Sequence, residues 1–277
     1  MAGSERAFIV DGVGADCRLD GRRRGEYRPL RLQLGVLPLC AGSCQVVLGG
    51  TCVLAGVCLQ AEAPPRGLAA SPTPRFTVEF ACLPSSAPSD RATSDGEEFG
   101  IAAALEAAFA HSLDARKLSL TKRSSWGVHV SVVVLYQDGS VLDASCLAAA
   151  SALRDARLPV TSTTGDDAAG TAEWELAGQL VPLPLAPLPL VVGLTRFGGA
   201  TCVDACAAEE AASADGALWV AVTAAGAVRA SGGAVGSVAA GAATAAVRDA
   251  ARVGKALHAA WEAHLRGAAR ATPRPVV

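Results

Sequence analysis

Val141-Leu142-Asp143-Ala144-Ser145-Cys146-Leu147 stands where one hydrophobic periodicity gives way to another, and that change decides the fold class. Before it, Trp126 to Tyr136 carries Val128, Val130, Val132 and Val134 at alternate positions, and Val133 and Leu135 make its end nearly continuous, as in a buried central strand. Asp138-Gly139 then turns the chain. The Ala-rich run through Leu153 reads as a helix, and Ser140 or Asp143 is expected to cap it, since either side chain can accept from free N-terminal amides. Strand, turn and helix in so short a span are the unit of an α/β layer architecture.

Toward the N-terminus, Leu30 to Leu39, Cys44 to Leu48 and Thr51 to Gln60 are apolar or β-branched runs punctuated by Gly and Pro, the pattern of a strand meander. Arg75 to Leu83 alternates Phe76, Val78, Phe80 and Cys82 against Thr77, Glu79 and Ala81, which predicts another strand. The Pro- and Ser-rich Pro84 to Asp95 reads as a loop. From Gly96 the spacing predicts a helix ending near Leu113, with Phe99, Ala103, Ala107 and Ala110 near one face and Ile101, Leu105 and Phe109 beside them.

Toward the C-terminus, Thr161 to Gly178 is small, polar and acidic, and is expected to form a surface excursion. The most apolar stretch, Leu180 to Leu194, is broken by Pro182, Pro184, Pro187 and Pro189, so it reads as an extended linker entering a strand and not as a membrane span. Strands are expected at Leu188 to Phe197, Thr201 to Asp204, Leu218 to Thr223 and Ala227 to Ala230. Ser237 to Arg266 reads as a long helix with Val247, Ala251, Val253, Leu257, Trp261 and Leu265 along its apolar stripe. The resulting expectation is an α/β (α+β) fold of two mixed-sheet halves, about 18–160 and about 180–265, packed as one unit over residues 1–265. Residues 266–277 form a tail.

Composition narrows the rest. A chain of 277 residues can bury roughly three quarters of its unfolded surface. With 51% hydrophobic but only 4% aromatic residues, Ala, Val and Leu must fill the core in thin, closely spaced layers. A formal charge of −2 argues against a protein that coats nucleic acid with its whole surface, so any RNA contact must be local. Nine Cys occur without an apolar leader at Met1 to Phe8, which points to a reducing compartment. Spacings such as Cys40 to Cys44 and Cys202 to Cys206 lack the paired pattern of a zinc site and favour core packing. His111, His129, His258 and His264 form no metalloprotease pattern, and His258 on the terminal helix is expected to pack or cap. Gly232 to Gly241 lacks the Lys of a phosphate loop, and Gly12-Val13-Gly14 lacks a third Gly for a dinucleotide site. No cofactor or metal is expected.

Arg18-Leu19-Asp20-Gly21-Arg22, Arg28-Pro29, Gly42-Ser43, Gly50-Thr51 and Arg252-Val253-Gly254-Lys255-Ala256-Leu257-His258-Ala259 follow one another in an order and spacing that resemble the RNase PH-domain subunits of the eukaryotic RNA exosome ring. The resemblance runs from about Arg6 to Leu265. It implies an RNase PH-like fold. In active members of that family an Asp-Gly-Gly-Thr-Arg-Thr segment opens a helix and binds the attacking phosphate through backbone amides, hydroxyl and guanidinium. The resemblance sets Asp143-Ala144-Ser145-Cys146-Leu147-Ala148 against it, keeping Asp143 but placing Cys146 for the Thr and Leu147 for the Arg. A phosphate there would forgo a charge-assisted hydrogen bond of about 1.5–3 kcal/mol. Asp204 and Glu210 match the family's two acidic positions. Read by themselves, Asp204 is a strand-end turn residue and Glu209 and Glu210 are solvated helix charges.

Lys122-Arg123 corresponds to a basic segment that faces the ring's channel in related subunits, and Arg75 and Arg91 are expected to add to the same lining. Arg22-Arg23-Arg24 reads either as a phosphate contact or as a solvated turn. The resemblance implies a non-catalytic subunit of a hetero-hexameric ring of RNase PH-like chains, working with S1/KH cap proteins, an associated exoribonuclease and single-stranded RNA in the nucleus, nucleolus and cytoplasm. The alternative is an active phosphate-dependent 3′→5′ exoribonuclease using Asp204 and Glu210. A small-molecule enzyme on the same architecture finds no cofactor fingerprint or nucleophile-base pair in support.

Overall fold

The computed structural model describes residues 3–62, 75–83, 95–165, 173–233 and 240–268. Helix α1 (Gly3–Gly14) precedes β1 (Leu30–Leu34), β2 (Gly42–Leu48), β3 (Thr51–Glu62), β4 (Phe76–Cys82), α2 (Asp95–Phe109), a 3₁₀ turn (Ala115–Leu118), β5 (Ser119–Thr121), β6 (Ser124–Tyr136) and α3 (Val141–Asp155). The second half contains β7 (Arg157–Thr164), β8 (Glu173–Pro182), β9 (Leu190–Phe197), β10 (Ala200–Val203), α4 (Ala207–Ala212), β11 (Ala217–Val222), β12 (Val228–Gly233) and α5 (Ala240–Gly267).

The first sheet has the order β1-β2-β3-β6-β4, with β5 added on β6; β4 runs parallel to β6 and the other pairs are antiparallel. The second is antiparallel, in the order β10-β9-β11-β12. Helix α3 packs on β2 and β3 of the first sheet and on β9 of the second, and every residue from Asp143 to Leu153 is buried. A helix apolar all round belongs inside a protein. Its small side chains let the layers close up, so that a Cβ on Gly42 of β2 would collide with the Ala152 carbonyl oxygen. Val128, Val130, Val132 and Val134 of β6 line the same core, as their alternation predicts. Helix α5 covers the second sheet, where the Trp261 indole N–H donates to Ser151 Oγ at 2.8 Å and the His258 ring meets the Val222 carbonyl at 2.8 Å. Helix α1 makes a separate small core with Phe197, Cys202 and Ala212 through Ile9 and Val13.

Two expectations need correction, and a third gains detail. Helix α2 ends at Phe109, and its buried face is Ala104, Leu105, Ala108 and Phe109, whereas Phe99 is 76% exposed. Its rotation follows from the edge strand: Glu106 and Glu98 accept the Val78 and Cys82 backbone N–H groups of β4, each at 2.9 Å. The segment read as a surface excursion is mostly exposed in its described residues, and these pair as two strands, with Thr163 opposite Trp174 and the Trp174 ring packed on Trp126 at 5.7 Å. The Thr-rich run supplies strand former enough for this, and Trp174 supplies its anchor. Cysteines do not all pack inside: Cys44, Cys52, Cys146 and Cys202 are buried, but Cys17 and Cys58 are exposed. The loop expected at Pro84 to Asp95 lies outside the described residues except for Asp95, which begins α2.

Candidate functional site

The start of α3 is where the two sheets and the N-terminal segment converge. Gly139 and Ser140 both adopt positive φ, +76° and +49°, so the turn doubles back before the helix begins at Val141. An L residue at position 139 would be strained there, and its Cβ would collide with the Ala205 carbonyl oxygen. Neither expected cap forms. The Ser140 hydroxyl donates to the Ala205 carbonyl at 3.2 Å, and Asp143 turns inward to accept from the Tyr27 hydroxyl at 2.8 Å and the Gly193 N–H at 2.8 Å.

Several side chains hold the turn. Arg28 donates to the Asp138 carbonyl at 2.6 Å and the Gly139 carbonyl at 3.2 Å. The Thr51 hydroxyl donates to the Gly139 carbonyl at 2.7 Å and accepts from the Asp138 N–H at 2.9 Å. Glu210 then closes the entrance, accepting the Ser140 N–H on Oε1 at 2.8 Å. A carboxylate of the chain itself thus sits beside the positive end of the helix, where free amides favour an anion.

This geometry moves the phosphate segment. Cys146 and Leu147 are both 0% exposed, and the Cys146 sulfur accepts the Val191 N–H of β9 at 3.3 Å, so these two side chains lie between the sheets and away from the helix start. The residues that open the helix are Asp138-Gly139-Ser140-Val141-Leu142, five positions upstream. Set against the family's Asp-Gly-Gly-Thr-Arg order, they keep Asp138 and Gly139 and place half-buried Leu142 at the Arg position. At either register no Arg stands in the segment that opens the helix.

Asp204 and Glu209 are committed to ion pairs, whereas Glu210 holds the Ser140 N–H. Asp204 is 1% exposed with φ +46°, and its carboxylate accepts from the Arg28 backbone N–H at 2.6 Å, from Arg28 Nη2 at 2.7 Å and from Arg22 Nη1 at 3.1 Å. Glu209 is not a solvated charge: it is 1% exposed and paired with Arg18 through bonds of 2.8 and 2.5 Å. Burial alone would raise its carboxyl, but Arg18 and the Cys206 N–H hold it below the usual range. Arg18 also donates to the Val203 and Asp204 carbonyls, at 2.9 and 2.7 Å. The Arg22-Arg23-Arg24 run therefore divides: Arg22 pairs with Asp20 and Asp204, Arg24 pairs with Asp16, and Arg23 faces solvent. Asp143 is held by neutral donors instead of a guanidinium. Burial pushes its carboxyl up to about 7, aided by the charges of Asp204 and Glu210 and opposed by the Gly193 and Tyr27 bonds.

Lys122 and Arg123 form the exposed turn between β5 and β6. Arg75 is exposed at the same end of the sheet, because β4 runs parallel to β6 and the Arg75 carbonyl accepts the Val128 N–H at 2.8 Å. Arg91 lies outside the described residues. Among the described residues no group of three or more His, Cys, Asp and Glu is placed to hold a metal. The residues that sequence reasoning missed are Tyr27, Arg28 and Arg18 as site builders. The Arg-Pro and Arg-x-Asp-Gly-Arg runs mark the two arginines, but the buried carboxylates they pair with, Asp204 and Glu209, are 176 and 191 positions away.

Comparison with known proteins agrees with this architecture. Residues 26–159 match the model of the 3′ exoribonuclease family, domain 1, of the RNase PH type. The chain superposes on a subunit of the Archaeoglobus fulgidus exosome with RNA bound to the active site with a TM-score of 0.78 and 23% identity, covering 93% of this chain and 98% of that one. Fold and helix-start site together define an RNase PH-type chain. It is 30% identical over 220 residues to the exosome complex component Rrp42 of Methanosarcina acetivorans and 29% to that of Methanosarcina mazei, with 76% of each chain covered in both cases. The chain belongs to the Rrp42 family of exosome components.

Proposed function

We propose that this chain is a non-catalytic subunit of an exosome ring. It pairs with other RNase PH-like chains in a hetero-hexamer that carries S1/KH cap proteins and passes single-stranded RNA to an associated exoribonuclease, in the nucleolus, nucleus and cytoplasm. The observation that carries the reading is the contact of Glu210 with the Ser140 N–H. Phosphorolysis needs inorganic phosphate bound and oriented before an acid can assist bond cleavage. Here the helix start faces Glu210, Leu142 supplies no charge, and both nearby arginines are engaged by carboxylates, Arg28 by Asp204 and Asp138 and Arg22 by Asp204 and Asp20.

The exposed Lys122, Arg123 and Arg75, gathered at one sheet end, support a channel role in which phosphate contacts confer affinity without reading sequence. The purified chain, incubated with single-stranded RNA and inorganic phosphate, is expected to release no nucleoside diphosphate. Release that disappears in Asp204→Ala would overturn the reading, and recovery of the native chain without other ring subunits would count against the assembly.

A further inference from the structure

Two thiols meet on the face of the first sheet that turns away from α3, and none of the chemistry above uses them. Cys40 ends the connection from β1, its N–H donating to the Leu37 carbonyl at 3.3 Å, and Ala41 donates to Val57 on β3 at 2.8 Å. The Cys40 sulfur lies over Gly56: a Cβ at that glycine would stand 2.9 Å from it. Cys58 follows two residues later on the same face of β3, and it is exposed while Cys40 is half-buried. Extending the register of Gly42 opposite Val57 sets Ala41 opposite Cys58, so Cys40 is one residue from the position directly across from Cys58. Burial first, then contact with Cys58, pushes the Cys40 thiol up to about 11. Gly56 is what admits the sulfur, and any side chain there would displace it.

We infer that Cys40 and Cys58 form a reversible redox pair, a dithiol that a low-molecular-weight disulfide such as glutathione disulfide converts to an intramolecular disulfide. Cys58, the accessible sulfur, attacks first: its thiolate forms a bond to one glutathione sulfur, and the other glutathione leaves as a thiolate that takes a proton. The shielded Cys40 then loses its proton and attacks Cys58 Sγ, expelling the second glutathione. Two protein thiols are oxidised and one glutathione disulfide is reduced to two glutathione thiols. Closure would staple the β1–β2 connection to β3, one strand from His129, which stands opposite Cys58 on β6.

The test treats the full chain with glutathione disulfide and reads intact mass and digested peptides. The expected product has lost two hydrogen masses, contains a Cys40–Cys58 cross-linked peptide and is restored by dithiothreitol. Phenylarsine oxide, which captures paired thiols, should protect this pair from reaction. In Cys40→Ser, Cys58 should instead hold a stable glutathione adduct, and in Cys58→Ser position 40 should stay unmodified. Thermal melts of both serine variants confirm that they fold. A stable glutathione adduct on Cys58 of the unaltered chain, or a cross-link of either residue to another cysteine, would overturn the pairing. The outcome is independent of whether the chain cleaves RNA.

Discussion

Glu210 accepts the Ser140 backbone N–H at 2.8 Å, and with that bond the chain places its own carboxylate at the start of α3, the position the proposed reading compares with a phosphate site. Removing the charge and restoring a guanidinium should reverse the situation. Leu142→Arg combined with Glu210→Gln is expected to gain a thermal shift on addition of inorganic phosphate that the unaltered chain lacks. A charge-assisted bond of about 1.5–3 kcal/mol corresponds to a binding gain of roughly one to two orders of magnitude. If the double variant melts at the same temperature with and without phosphate, Leu142 is not the residue that replaces the Arg.

Asp204 pairs with both Arg28 and Arg22, while Arg18 ties the Asp204 carbonyl to Glu209. Breaking one partner of a buried pair leaves an uncompensated charge and costs roughly 3–5 kcal/mol. Asp204→Asn is therefore expected to lower stability by that amount in urea unfolding, with the slope unchanged. The same substitution would remove an acid from an active enzyme. Since the proposed role has no such acid, RNA retention by rings that still assemble should not change.

How much of this was legible in the chain depends on the range of the interaction. Strand β6 could be read because Val128, Val130, Val132 and Val134 report a local, period-two burial. The face of α2 could not, because Glu98 and Glu106 turn the helix to serve edge amides of β4, a demand made by a different element. Asp204 looked like a mere turn residue and Glu209 like a solvated charge because their arginines lie far back along the chain. The phosphate segment was set five residues too far along because Asp143, a buried acid pointing at Tyr27, has the residue type of a helix-opening one. The positive φ of Ser140, which marks the true start, leaves no trace in residue type.

Asp143 gives a pH signature. Its folded carboxyl titrates at about 7 against an ordinary 3.8, so the folded state holds the proton more tightly than the unfolded chain does. Its effect is therefore most favourable below pH 4, is lost progressively as pH rises from about 4 to 7, and is flat above that. The difference across the window is on the order of a few kcal/mol. Asp143→Asn keeps an acceptor for Gly193 and cannot ionise, so subtracting its stability profile from that of the unaltered chain should leave a curve falling between pH 4 and 7. A flat difference would show that Asp143 is not held protonated.

Close approach of layers makes a sharper demand on Gly42. A methyl group there would collide with the Ala152 oxygen and the Ala156 nitrogen, both backbone atoms that cannot swing aside. Overpacking of this kind costs about 1–3 kcal/mol. Gly42→Ala should lower the unfolding midpoint accordingly, whereas Gly25→Ala, with open space around it, should leave it unchanged.

Lys122 and Arg123 provide the clearest separation between scaffold and RNA binding. Their turn is exposed and joins β5 to β6 without burying either side chain, so changing their sign should leave the fold alone. Removing one cation from a phosphate lowers the salt dependence of binding by about one unit in a logarithmic plot and weakens binding across all sequences alike. Rings carrying Lys122→Glu and Arg123→Glu are expected to assemble normally but to retain single-stranded RNA less tightly, with a shallower salt slope by about two. Substituting Arg23 in the same way serves as the control, since that side chain faces solvent beside the Arg22–Asp204 pair and far along the chain from the turn. Unchanged retention in the first variant would remove the channel role from this turn while leaving the scaffold reading in place. Loss of assembly would instead place Lys122 and Arg123 in a subunit interface.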